Sequence, residues 1–440
     1  MFLDKVMEAL KRKFAEKALP MAAETKQFVK EYGHVVLGDI TIDKVYGGMK
    51  SMIGLVTETS KLDPEEGIRF RGYTIPELRE KLPRAVGGFE PLPEGLFLLM
   101  LLGEIPSQEE VFAFSQELAN RSEVPLHVFK TLDALPVETH PMTQFSIAVL
   151  ACRTESVFSA RYDKGLNKKE YWDATFEDTL NLIAKLPRIA SYIYRRTYKN
   201  NVQIEPDKSL DWAANFAHMM GYNSLDVKRL MRLYLTIHAD HEGGNVSAHA
   251  THLVGSALSD AYYSFSAGMN GLAGPLHGLA NQEVIKWLFQ MQDEIGTKTP
   301  TRDQIAAYVK QTLADGKVVP GYGHAVLRKT DPRFSVQQDF YHRYIGQDDL
   351  CELVGIVYEV VPPILESTGK IKNPWPNVDA HSGALLVHYG ITEYDFYTVL
   401  FGVSRSLGVL AQLIWDRALG HPIERPGSIT TELMRKKAGL

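Results

Sequence analysis

The chain has 440 residues, 45% of them hydrophobic, with 48 Lys and Arg against 53 Asp and Glu and a formal net charge of −5. Such a length is long for one hydrophobic core and sets an expectation of two domains. The balanced, slightly acidic composition excludes the basic surface that holds nucleic acid or an anionic membrane, so an anionic ligand needs a local arginine cluster. Two cysteines far apart, Cys152 and Cys351, exclude a disulfide framework and fit a reducing compartment.

The chain opens on a helical stretch, 1–32, whose first part mixes Asp4, Glu8, Glu16 and Glu24 with lysines. It has no apolar signal core and is not acid-poor. The expectation is a protein that stays where it is made, or one whose presequence is missing. Val35, Leu37, Ile40 and Ile42 alternate as a short strand, and Gly47-Gly48 makes a turn. An acidic loop, Asp63 to Gly67, follows. From there the pattern is helical, over 74–83, 93–102, 106–121, 125–134, 141–153, 169–196, 207–219, 223–238 and 245–264. The longest plain apolar run, Leu96–Leu102, is far short of the ~20 residues needed to span a bilayer. No strand–helix alternation and no fixed-period repeat is present, so the predicted fold is all-α.

After a Gly/Ala-rich stretch at 265–278, helices are predicted over 279–295, 301–315, 332–345 and 349–367. Two Pro/Gly loops, Val318–His324 and Asn373–Asp379, interrupt them, and a helical run returns over 392–418. This predicts a smaller domain, 279–390, inserted into a larger one made of 1–278 and 391–440, with a ligand cleft between them.

Four features carry chemistry. His277 stands in Gly-Leu-Ala-Gly-Pro-Leu-His-Gly, a constrained turn before the helix 279–295. There the helix dipole favours neutral imidazole, able to donate to a developing enolate oxygen; a core histidine ending a turn is the alternative. His238 and His241, followed by Gly243-Gly244, could ligate zinc, end a helix with local hydrogen bonds, or, for His241, donate to a bound carboxylate. The stretch Pro320–Arg333 puts Gly321 and Gly323 before His324, with Arg328, Lys329 and Arg333 after it. That suits an anionic ligand or a solvated basic loop, but matches no phosphate-binding glycine motif. Asp379 ends a Pro-rich turn, as base or as helix N-cap. Arg405 lies among Leu400, Phe401, Val403, Leu407, Val409 and Leu410, where an unpaired guanidinium is too costly to be incidental. Together these residues fit carbanion chemistry on an acidic substrate.

The stretches 233–252, 269–284, 318–333, 377–385 and 399–415, with weaker agreement at 46–49, 62–72 and 90–103, closely resemble citrate synthases of the mitochondrial kind. The resemblance implies an all-α, two-domain enzyme that condenses acetyl-CoA with oxaloacetate and hydrolyses the product to citrate and CoA. By that resemblance Asp379 takes the acetyl proton, His277 stabilises the enolate, and His324 polarises the oxaloacetate carbonyl. His241, Arg333 and Arg405 would hold its carboxylates, with Arg425 arriving from the other subunit of a homodimer. Val318, Gly321, Gly323 and Arg328 would meet CoA. Lys50 and Lys168 stand where relatives carry arginines for the CoA phosphates. No metal or cofactor is implied, since acetyl-CoA is a substrate. A 2-methylcitrate synthase using propionyl-CoA and, more remotely, a metal-dependent hydrolase are the alternatives. The initiator Met1 and the missing transit segment set an expectation of a bacterial, cytoplasmic enzyme, or of a mitochondrial matrix enzyme without its presequence.

Overall fold

The computed structural model describes residues 2–324, 326–369 and 373–440, so Ala325 of the Gly/His loop lies outside the described residues. The fold is all-α and built around the helix Tyr397–Leu419, every residue of which is buried except Phe401 and Ala418. It is apolar nearly all round because helices cover it on every side: Tyr171–Tyr198, Pro93–Leu102, Val246–Ser256 and Phe2–Tyr32 pack on it. Among the described residues, 394–419 is the stretch long and apolar enough to cross a bilayer, yet 94% of its apolar window is buried inside the protein. The first helix offers Met7, Leu10, Phe14 and Ala18 at spacings of three and four, and Phe14 meets Trp415 edge-on with ring centroids 4.9 Å apart.

The helices Ala280–Ile295, Arg302–Ala314, Pro332–Tyr344, Asp349–Ser367 and Asp379–His388 pack mainly on one another. Most helices lie within a few residues of their expected bounds. Two local expectations fail, and the strands beside a correctly expected loop go unread. The segment 35–41 is exposed coil, not a strand, with Val36, Leu37 and Ile40 at least 70% exposed; an alternating run with no neighbouring strand leaves its backbone unpaired. The expected helix 245–264 breaks into Val246–Ser256 and Ala261–Leu272. Asp260 caps the second, accepting from the amides of Tyr262 and Tyr263 at 3.1 Å. The acidic loop 63–67 is the turn of a small antiparallel sheet of β1 (Ser60–Asp63), β2 (Gly67–Phe70) and β3 (Tyr73–Thr74). Its Leu62, Ile68 and Phe70 enter the core.

Candidate active site

The two Pro/Gly loops form one structure. Tyr322 bridges Pro376, the Gly323 amide donates to the Trp375 carbonyl at 3.0 Å, and the Asn377 amide to the Gly321 carbonyl at 2.9 Å. Gly321 has φ +78°, and a Cβ there would fall 3.0 Å from the Ala380 backbone and 2.8 Å from Val284. Only glycine fits that crossing. The crossing brings His324 and Asp379 to one place.

His324 accepts on Nδ1 from the amides of Val326 (3.0 Å) and Leu327 (3.2 Å). Its proton therefore sits on Nε2, which faces His241 Nε2 at 3.3 Å. Burial, then the Arg333 cation, lowers the His324 pKa to about 4, so it is neutral near pH 7. His241 lies well below the usual range for the same two reasons, burial being the larger.

His277 stands in the turn between the helices Ala261–Leu272 and Ala280–Ile295. Its Nε2 accepts from the Ser247 amide at 3.2 Å and lies 2.9 Å from the Ser247 hydroxyl. This fixes the proton on Nδ1 as the free donor. The His277 pKa falls to about 4, through burial first and the Arg405 cation second. The neutral form is as expected. Its largest cause is desolvation of the half-buried ring.

Asp379 is the first residue of its helix, yet it is not the cap. Val378 holds the N-cap position without a side-chain bond, and Asn377 Oδ1 accepts from the Asp379 amide at 3.0 Å. No hydrogen bond to the Asp379 carboxylate is found among the described residues. Burial pushes its pKa up to about 6, against the pull of Arg333 and Arg405.

Both buried arginines have partners. Arg405 donates from Nε to the His238 carbonyl (3.2 Å) and from Nη1 to Asn245 Oδ1 (3.0 Å) and Ser247 Oγ (3.2 Å), and packs over Phe401. The buried Asp240 carboxylate offsets its charge. Arg333 forks onto Asp331, Nη2 to Oδ2 at 2.7 Å, and Asp331 also caps the helix Pro332–Tyr344. Each guanidinium keeps one terminal nitrogen outside these bonds.

His241, His277, His324, Arg333, Asp379 and Arg405 are thus brought together by hydrogen bonds or mutual electrostatic influence. The other expected residues are placed elsewhere or only beside them. Val318 is 79% exposed at the start of the loop whose Gly321 and Gly323 make the crossing. The Arg328 amide donates to the Pro64 carbonyl at 2.8 Å. Lys50 is exposed, Lys168 lies in a cavity of about 330 Å³ beside Gly420–Ile423, and Arg425 is exposed on the C-terminal segment. No hydrogen bond or ion pair among the described residues links these three to the cluster.

His238 is no partner of His241 in a zinc pair. It stacks on Tyr234 (centroids 4.1 Å apart) and its Nδ1 lies 2.9 Å from the Tyr234 carbonyl. His249 and His252 pair with Glu424 and Asp416. Among the described residues no three His, Cys, Asp or Glu stand together as a metal site. Sequence reasoning missed Asn245, Ser247, Asp240 and Asp331. Asn245 has a signal: it follows Gly243-Gly244 and caps the helix Val246–Ser256, accepting from the Ala248 amide at 3.1 Å.

The family model described as "Citrate synthase, C-terminal domain" matches residues 48–427. "Citrate synthase, mitochondrial" of Daucus carota is 59% identical over 92% of this chain and 86% of its own length. The protein of the same description from Saccharomyces cerevisiae is 56% identical over 97% of this chain and 88% of its own. Among solved structures, the citrate synthase of Pyrobaculum aerophilum superposes with a TM-score of 0.77 at 27% identity, over 90% of this chain and 95% of that one. That of Thermoplasma acidophilum, a ternary complex with carboxymethyl coenzyme A and oxaloacetate, superposes at 0.73 with 21% identity over 89% and 97%. The relatives from plants, insect, fish and yeast are named as mitochondrial. This overturns the expectation of a bacterial cytoplasmic enzyme and points to the mitochondrion. Compartment is written in leader segments, outside the packed fold, so core and site residues could not reveal it.

Proposed function

The chain belongs to the citrate synthase family, and we propose that the clustered histidines, arginines and Asp379 carry out its condensation of acetyl-CoA with oxaloacetate. The Asp379 carboxylate takes a proton from the acetyl methyl, and the Nδ1–H of His277 donates to the thioester oxygen as it becomes enolate. The nucleophilic methylene attacks the oxaloacetate ketone while His324 Nε2–H donates to that carbonyl oxygen and then protonates it. Water hydrolyses the citryl thioester, releasing citrate and CoA. Arg333, Arg405 and His241 hold the oxaloacetate carboxylates.

The observation that carries this reading is the pairing of opposite demands in one desolvated place. A carboxyl pushed up to about 6 stands with two imidazoles held neutral, each with its acceptor nitrogen tied to backbone amides. That fixes which nitrogen donates before any substrate arrives.

The unit 279–390 would close on the remainder about the glycine-rich turn 271–278 and exclude water until the carbon–carbon bond exists. CoA would lie along Val318, Gly321, Gly323 and Arg328. A homodimer supplies the rest: Arg425 comes from a second copy, and Lys168 lies against the same C-terminal segment, so it too would act across the subunit boundary, with Lys50 as a further phosphate contact. The apolar side chains exposed over 28–56 and at Ile423, Ile429 and Leu433 suit burial against that copy.

Purified protein with acetyl-CoA is expected to release free thiol only when oxaloacetate is present. Thiol release without oxaloacetate, or none with it, overturns the reading.

A further inference from the structure

We propose that the hairpin of β1 and β2 is a strut that sets the spacing between the two halves of the oxaloacetate site. This rests on assigning His241, His324 and Arg333 to that substrate. The strut is about 13 Å long from residue 60 to residue 64 at the rise of an antiparallel strand.

Its base grips the segment that carries His241. Thr59 Oγ1 and Ser60 Oγ donate to Asp240 Oδ2 at 2.5 and 2.7 Å. Ser60 Oγ accepts from the Glu242 amide at 3.0 Å, and the Leu62 amide donates to Glu242 Oε1 at 2.6 Å. His241 is therefore flanked on both sides by residues bonded to the hairpin. Glu242 itself has φ +60°, a left-handed conformation that costs a non-glycine residue energy and persists where surrounding bonds enforce it.

Its tip grips the segment that carries Arg333. Gly67, at φ +82°, lies so close to Pro332 that an added Cβ would fall 2.5 Å from Pro332 Cδ. The Pro64 carbonyl accepts from the Arg328 amide at 2.8 Å, and Glu65 pairs with Lys329 at 3.1 Å. So one rigid element touches the chain just before Arg333 and just after His324, as well as both neighbours of His241. A lone hairpin of this size is marginal in water; burial of Leu62, Ile68 and Phe70 makes it stiff enough to act as a spacer. In this arrangement it holds the 3.3 Å approach of His241 to His324.

The test uses the full-length enzyme and variants that change the anchors but no substrate contact. Glu242→Ala removes the acceptor at the base and keeps the chain otherwise intact. It is expected to raise the KM for oxaloacetate about tenfold, the loss typical of one charge-assisted hydrogen bond. The KM for acetyl-CoA at saturating oxaloacetate stays within about twofold. Glu242→Gln retains an acceptor oxygen and restores the oxaloacetate KM. Gly67→Ala, forced against Pro332 at the tip, shifts the oxaloacetate KM the same way; if it does not fold, the Glu242 pair decides. An unchanged oxaloacetate KM in Glu242→Ala overturns the strut. So does a parallel rise in both KM values with a lower melting temperature that Gln does not rescue, because that marks general destabilisation. Arg333→Gln, assayed beside them, separates the strut from the site assignment on which it rests. An unchanged oxaloacetate KM in Arg333→Gln sinks the assignment, whereas a raised KM there with an indifferent Glu242→Ala sinks the strut alone.

Discussion

Replacing Asp379 with asparagine should make the protein more stable and far less active. Burial raises its carboxyl from the ordinary value of 3.8 to about 6. At 1.36 kcal/mol per pKa unit, the ionised side chain costs the folded state about 3 kcal/mol above pH 6. The folded protein binds the proton more tightly than the unfolded chain. The cost is therefore absent below 3.8, grows as pH rises toward about 6, and is complete above it. Asparagine has nearly the same shape and no charge, so it removes that cost. At pH 7.5 the free energy of unfolding should rise by as much as about 3 kcal/mol, read from the shift of a denaturant midpoint at constant slope. Near pH 4 the gain should shrink toward zero. Turnover in the thiol-release assay should fall by about 10²–10⁴, the contribution of a general base. Two results would count against this role of Asp379. Turnover close to wild type denies the role of base, and lower stability at pH 7.5 means that Arg333 and Arg405 stabilise the carboxylate by more than burial destabilises it.

His277→Ala removes one enolate donor and should lower kcat by about 10²–10³, measured by thiol release at saturating substrates; near-normal turnover denies it that role. The acid limb of kcat/KM should report Asp379, which must be ionised to act, so activity falls as pH drops through about 6. His277 and His324 do not gain protons until about pH 4, so they leave that limb unaltered. Shifting the limb by mutating His324, but not by mutating Asp379, would contradict this. Lys50→Arg should lower the KM for CoA substrates and flatten its salt dependence, because a guanidinium engages phosphate through two bonds and an ammonium through one. An unchanged KM and salt profile would remove Lys50 from the CoA site.

How far the sequence could be read depends on the residue. Arg405 is the clearest case. Six apolar neighbours within a few positions required a partner for its charge, and the structure supplies the His238 carbonyl, Asn245, Ser247 and Asp240. Nothing local pointed to those partners, which are about 160 residues away. Asp379 was ambiguous between cap and base, since both readings need a carboxyl at a helix start. The Asn377 side chain, which accepts from the Asp379 amide, removes the cap reading. The strands on either side of the acidic loop 63–67 do not stand out in the sequence, because four residues carry too little alternation.

Local sequence determined the helices, through apolar residues recurring at three and four. It determined the family, through long stretches in order. Those are local properties of the chain, set by backbone sterics and periodicity. Tertiary structure decided the rest. It put His241 beside His324 across 83 residues, and it half-buried His277, His324 and Asp379 so that desolvation lowers the two imidazoles and raises the carboxyl. Burial and charge proximity are sums over the whole fold, so no window of sequence contains them.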